Sequence, residues 1–188
     1  MPAVASILGP LKAALPTPRL FDLGCGNGVI ANHFAQEGWE VTGVDVSTEG
    51  IAQANATYPD LALSTGSAYD DLRGRFGQFP AVISLEVVEH VYAPRDYART
   101  LADLLEPGGT AILSTPYHGY LKNLALAATG KMDAHFTALW DHGHIKFWSI
   151  ATLSALLAEV GLTVEQTLRV GRIPPLAKSM VLVARKAG

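Results

Sequence analysis

The chain has 188 residues, 49% of them hydrophobic, with 14 Lys and Arg against 17 Asp and Glu for a formal net charge of −3. That size and apolar content point to one globular domain with a well-buried core, and they exclude a disordered chain. The acidic balance gives no electrostatic footprint for nucleic acid, no apolar run approaches the length of a membrane span, and the single cysteine, Cys25, excludes an intrachain disulfide and any multi-cysteine metal site. The opening Met1-Pro2-Ala3-Val4-Ala5-Ser6 lacks the basic flank of a signal peptide, so the expected location is cytoplasmic.

Arg19-Leu20-Phe21-Asp22-Leu23 reads as a short apolar strand carrying an acid, followed by glycines at 24, 26 and 28 and a helix from Val29 to Gln36. Glycines let a backbone turn tightly and approach a ligand, and the helix N-terminus that follows offers free N–H groups. A second strand, Glu40 to Asp45, ends in an acid where such folds bind a ribose diol. A helix over Thr48 to Tyr58 follows, with Ser47 as N-cap and Pro59 closing it. Asp60 to Ser64 reads as a third strand and Ala81 to Leu85 as a fourth. Pro94 opens a helix running to Leu105, Glu106-Pro107-Gly108-Gly109 reads as a turn, and Thr110 to Thr115 is the fifth strand. Ser149 caps a helix that reaches Val160 and stops at Gly161. Leu162 to Val170 and Ser179 to Arg185 are two strands joined by a loop with Pro174-Pro175. Alternating strands and helices predict a Rossmann-like α/β fold, a mostly parallel doubly wound sheet. The last two strands, with no helix between them, predict an antiparallel C-terminal pair.

The glycine spacing separates two ligands. A dinucleotide loop reads G-x-G-x-x-G and receives a pyrophosphate. Here position 29 is Val and the pattern is G-x-G-x-G, with Asp22 placed to repel a pyrophosphate and to suit a ligand carrying an ammonium. This run resembles motif I of the class I S-adenosylmethionine-dependent methyltransferases. The resemblance extends from about Arg19 to Arg185. It implies that Asp22, Gly24, Cys25 and Gly26 hold the methionine part of S-adenosylmethionine, and that Asp45 and Val46 face its ribose. Where the family often has an acid beside the adenine, this chain has Ser67 and Ala68, with Asp70 and Asp71 as turn acids close by. Only about eighteen residues precede the motif, so a cofactor or substrate less covered than in relatives, or a lid completed by a partner, is expected.

The fourth strand runs into Glu86-Val87-Val88-Glu89-His90. Spacings of three and four put Glu86, Glu89 and His90 on one face if the segment makes a helical turn. Two carboxylates and an imidazole can share a divalent cation such as Mg²⁺ or Mn²⁺. The run is similar to one in the ubiquinone-biosynthesis O-methyltransferases and in the small-RNA 2′-O-methyltransferases. That resemblance implies a metal on the acceptor's hydroxyls, with His144 of Asp141-His142-Gly143-His144 as a further ligand and His142 as its competitor. Without a metal, His90 or His144 is the expected general base.

The segment 116–148 is too long for a plain connection, and it carries Tyr117, His118, Tyr120, Phe136, Trp140 and Trp148. It reads as a substrate lid suited to a small apolar or aromatic acceptor. Its stretch Leu121 to Ala128 is apolar enough for peripheral membrane contact, although Lys122 and Lys131 are too few for a basic anchor. The expected activity is methyl transfer to a hydroxyl of a catechol- or quinol-like molecule. RNA 2′-O-methylation, a non-catalytic cofactor-binding module and a nicotinamide oxidoreductase are the alternatives.

Overall fold

Successive side chains of a strand point to opposite faces, and the interior strands here are apolar at nearly every position, so both faces of the sheet must be covered. The computed structural model describes residues 1–188. Its strands are β1 (Arg19–Leu23), β2 (Glu40–Asp45), β3 (Ala62–Thr65), β4 (Phe79–Leu85), β5 (Leu105–Pro116), β6 (Leu162–Val170) and β7 (Ser179–Lys186). They form one sheet in the order β3-β2-β1-β4-β5-β7-β6. The first five pair in parallel, β7 runs antiparallel to β5, and β6 runs antiparallel to β7. The Rossmann-like sheet and its antiparallel end are therefore as the sequence predicts.

Eight helices cover it: α1 (Pro2–Ala13), α2 (Val29–Gln36), α3 (Thr48–Thr57), α4 (Leu72–Phe76), α5 (Pro94–Leu104), α6 (Tyr120–Ala128), α7 (Met132–Phe136) and α8 (Ile150–Ala158). Phe21, Val82, Leu113 and Leu182 point to one face and pack with Tyr97 and Leu101 of α5 and Leu153 and Leu157 of α8. Their strand neighbours Leu20, Ile83, Ile112 and Val181 point to the other face and pack with Leu8 of α1, Phe34 of α2 and Ile51 of α3. The residues before β1 thus form a core helix. None of them lines the cleft described below. No helix is long and apolar enough to cross a membrane.

Two local expectations need correction. Glu106 to Gly109 is not a turn between elements: β5 starts at Leu105 and carries these residues as an irregularity, advancing five positions while β4 advances two. Gly108, at φ +73°, absorbs the extra length. Glu86 to His90 do not form a helical turn either. Glu86 stands at φ +56°, outside the helical region, and a single tight turn closes from His90 N–H to Val87 C=O at 2.9 Å.

The strand order reverses between β1 and β4, and in such sheets the crevice at that point receives the ligand. The loop after β1 and the Glu86–His90 segment after β4 therefore face each other. Segment 116–148 leaves the end of β5 and folds over this edge as α6 and α7, neither of which buries a residue. Its C-terminal end is held by α8, where Ser149 and Thr152 form a reciprocal cap, Thr152 N–H to Ser149 Oγ at 3.2 Å and Ser149 N–H to Thr152 Oγ1 at 3.0 Å. Ser149→Ala is expected to lower stability by about 1 kcal/mol, read as a lower urea midpoint at unchanged slope. An unchanged midpoint would show that the cap carries no stability.

Candidate active site

The loop after β1 is shaped by contacts no other residue type permits at one position. Gly24 lies at φ +94°, and a Cβ there would meet Val87 Cγ2 at 2.3 Å. Gly24 and Cys25 N–H both donate to Val44 C=O, at 2.8 and 3.0 Å, which ties the loop to the end of β2. Asp45 at that end accepts Gly26 N–H on Oδ2 at 2.9 Å and Ser47 N–H on Oδ1 at 2.8 Å. Each carboxylate oxygen keeps a lone pair free, so Asp45 is oriented without being used up.

Beneath the loop, Asp22 is 2% exposed, and its Oδ2 has no hydrogen-bond partner. Burial, and then the charge of Asp45, pushes its pKa up to about 7. Cys25 is also buried, and burial together with both acids pushes its thiol up. A protonated, buried thiol is no nucleophile, so Cys25 acts through its backbone.

The loop and the end of β2 line a cleft of about 950 Å³, with Asp22 and Cys25 buried behind its wall and not on it. Gly24, Gly26, Asp45, Val46 and Ala68 lie on its wall, as the sequence suggests. Ser67 does not: its N–H is given to Asp70 Oδ2 at 2.8 Å in a turn, and Asp71 caps α4 by accepting Gly74 N–H at 2.9 Å. The sequence reading missed Ser47, Gly66 and Val87 on the wall. Of these, Val87 was signalled only by the glycine it requires opposite.

The far wall of the cleft carries Glu86 and His90. Glu86 accepts the Ser114 hydroxyl on Oε1 at 2.7 Å and is exposed. Glu89 points inward, 1% exposed, accepting the Thr115 hydroxyl on Oε2 at 2.9 Å and leaving Oε1 without a partner. Burial raises its pKa to about 7. Its backbone C=O accepts N–H from both Ile145 and Lys146, at 2.9 and 3.0 Å. Trp148 Nε1–H adds a bond to Val88 C=O at 3.0 Å. His144 is thereby set against His90, with ring centroids 4.9 Å apart at 74°.

His90 Nδ1 lies 3.0 Å from His142 C=O and 3.2 Å from Gly143 C=O. Both are acceptors, which assigns the proton to Nδ1 and leaves the Nε2 lone pair available. Burial, and then the neighbouring His90, lower the His144 pKa. Glu89, His90 and His144 present ligand atoms within 4.8 Å of one another. Glu86 is not in this group, because its positive φ turns it toward Ser114. Nor is His142, which contributes its carbonyl.

The sequence profile of the methyltransferase-domain family matches residues 4–167. The chain belongs to the class I S-adenosylmethionine-dependent methyltransferase family. Two relatives named ubiquinone biosynthesis O-methyltransferase come from Caulobacter. The protein of Caulobacter sp. strain K31 is 39% identical over 148 residues, 74% of this chain and 57% of the relative. That of Caulobacter vibrioides is 34% identical over 158 residues, 80% of this chain and 61% of the relative. The chain thus spans about three fifths of the length of these relatives. Among solved structures, magnesium protoporphyrin IX methyltransferase from Synechocystis PCC 6803 superposes with a TM-score of 0.74 at 21% identity, covering 99% of this chain and 83% of that one.

The protein has a second cavity, of about 370 Å³, on the other side of the histidine pair. His144 lines it, whereas His90 lines the cleft. The two rings therefore form a partition between the two spaces. His118 and His135 face the second cavity beside Leu126 and Phe147.

Asp22 makes the ligand-free protein sensitive to pH. Its folded-state pKa is about 7 and its unfolded value 3.8, so between these the folded chain holds a proton the unfolded chain has lost. The contribution to stability is full below about pH 4 and is lost as the pH rises through 7. Asp22→Asn is expected to gain stability relative to the native chain on going from pH 5 to pH 8, measured by urea unfolding. An equal difference at both pH values would contradict the assignment.

Proposed function

We propose that this protein transfers a methyl group from S-adenosylmethionine to a hydroxyl of a small, partly apolar or aromatic acceptor, catechol- or quinol-like. One observation carries the reading: the Glu89, His90 and His144 cluster stands on the partition between the Asp45-edged cleft and the histidine-lined cavity. A methyl donor on one side and an acceptor on the other would meet there. The names of the Caulobacter relatives support an oxygen acceptor. The excess of acids over bases speaks against RNA.

Asp45 is set to take the ribose hydroxyls, and the buried Asp22 carboxylate to balance the positive charge of the methionine end. S-adenosylmethionine supplies a methyl on a positively charged sulfur. The acceptor oxygen attacks that carbon in line, the carbon–sulfur bond breaks with its electron pair on sulfur, and S-adenosylhomocysteine leaves. The protein's task is alignment and removal of the hydroxyl proton. His90 presents Nε2 for that proton, and His144 stands beside it.

The same cluster fits a divalent cation. Glu89 has a buried oxygen with no partner, and two imidazoles complete a donor set of mixed O and N atoms. Glu89, His90 and His144 would hold the ion, and it would lower the pKa of the acceptor hydroxyl. Segment 116–148 serves as the acceptor's cover. Both its helices lack buried residues, and Leu139 is 98% exposed.

S-adenosylhomocysteine is expected to bind and to stabilise the fold by about 2.7 kcal/mol at one hundred times its Kd. Asp45→Ala should weaken that binding by roughly 1.5–3 kcal/mol, the range for hydrogen bonds to a charged group. Calorimetry showing NAD binding and no S-adenosylhomocysteine binding would overturn the reading. Glu89→Gln should abolish turnover of a catechol while sparing cofactor affinity, and chelator should reproduce the loss with Mn²⁺ restoring only the native chain. Full activity after chelation would assign the proton to His90 alone. Limited proteolysis should cut within 116–148 before any strand, and more slowly once cofactor and acceptor are both present. Cleavage as slow as in the strands would make the segment a fixed part of the fold.

A further inference from the structure

The second cavity carries a chemical preference of its own. Lys122, Arg172 and Lys178 stand around it together with His118, His135 and His144. No carboxylate lines it. None of the three cationic residues forms an ion pair; the protein's salt bridges lie elsewhere, on Arg19, His33, Arg95 and Arg99. Lys122 Nζ donates only to backbone, to Tyr117 C=O at 2.8 Å and Lys178 C=O at 3.5 Å. His118 is 7% exposed, and its Nδ1 has no hydrogen-bond partner; buried Nε2 of His135 is likewise unpartnered. A buried polar atom without a partner costs free energy unless a ligand supplies one.

Resting on the reading of this protein as a methyltransferase, we infer that the acceptor carries an anionic group, a carboxylate or a phosphate, seated among Lys122, Arg172, Lys178 and His118, with its hydroxyl directed to the His90–His144 partition. Three cationic side chains in a chain of net charge −3 make this a local reversal of sign. A small cavity walled in part by Leu126 and Phe147 focuses that field on whatever enters. The potential is already felt by its own walls. Burial and then the Lys122 charge hold His118 down at about 4, and burial followed by Arg172 lowers Lys122. An anion relieves both repulsions, and neutral His118 can turn an N–H toward it. The apolar wall takes the ring or chain that links the anion to the hydroxyl.

The test compares 3,4-dihydroxybenzoate with its methyl ester, which has the same catechol and no charge. Both are titrated calorimetrically into the full chain loaded with S-adenosylhomocysteine and then assayed for turnover with the methyl donor. The acid should bind at least about tenfold more tightly than the ester, as expected for hydrogen bonds to a charged group. The double variant Arg172→Gln/Lys178→Gln, both sites exposed, should lower the acid-to-ester ratio of kcat/KM by about tenfold or more. His118→Gln should lower the same ratio while retaining S-adenosylhomocysteine affinity, which reports that the fold is intact. A third compound, a catechol bearing a phosphate in place of the carboxylate, distinguishes the two anions by which binds tighter. Equal binding of acid and ester, or an unchanged ratio in the double variant, overturns the inference and leaves the methyltransferase reading standing. Failure of S-adenosylhomocysteine to bind removes both.

Discussion

The backbone carbonyl of Glu89 holds the site together. It lies in the segment that follows the central strand β4 and accepts two N–H groups from residues 145 and 146, more than fifty positions later in the chain. A peptide carbonyl has two lone pairs, and here both are spent on one segment. Together with the Trp148 bond to Val88 and the His90 contacts to the His142 and Gly143 carbonyls, this contact sets His144 against His90 and fixes the return of the long excursion from β5. The same residue turns its carboxylate inward to Thr115 on the neighbouring strand. Glu89 therefore joins three parts of the chain, its main chain gathering the excursion and its side chain supplying the chemistry.

Charge gives the site its direction. Asp22 and Glu89 are buried carboxylates, each with one unpartnered oxygen and each with a pKa raised to about 7 by desolvation. Neither has a protein cation beside it. Buried acids in this state favour positive ligands, whose arrival restores the ordinary ionisation. Beyond the partition the sign reverses, and cations gather without acids. A positively charged donor and a negatively charged acceptor would be sorted to opposite sides before any bond is made. The ionisation of Asp22 and Glu89 costs stability in the empty fold, a common feature of functional positions.

The loop after β1 was legible because its demands are local. Glycines at 24, 26 and 28 and acids at 22 and 45 are required by backbone shape and ligand charge within one β-α-β unit. The run after β4 was legible in composition and misread in geometry. Spacing suggested a shared helical face for Glu86, Glu89 and His90, but a positive φ at a non-glycine residue leaves no mark in the sequence, and it sends Glu86 to Ser114 instead. The turn expected at Glu106 to Gly109 failed for a related reason: the strand partner at Phe79 and Ala81 tolerated the extra residues as a bulge. The second cavity was not legible. His118, His135 and Arg172 lie on separate segments with no common spacing, and only the docking of α6 and α7 brings them together.

The central claim about the site is that donor and acceptor meet at the cluster on the partition. A crystal structure of the protein with S-adenosylhomocysteine and Mn²⁺, phased to show anomalous scattering, tests this most directly. The cofactor product is expected in the Asp45 cleft, with a single strong peak in contact with Glu89, His90 and His144, open on the side of the second cavity. Cofactor in the cleft with no ion at these three residues, and with their side chains turned away from it, would contradict the claim.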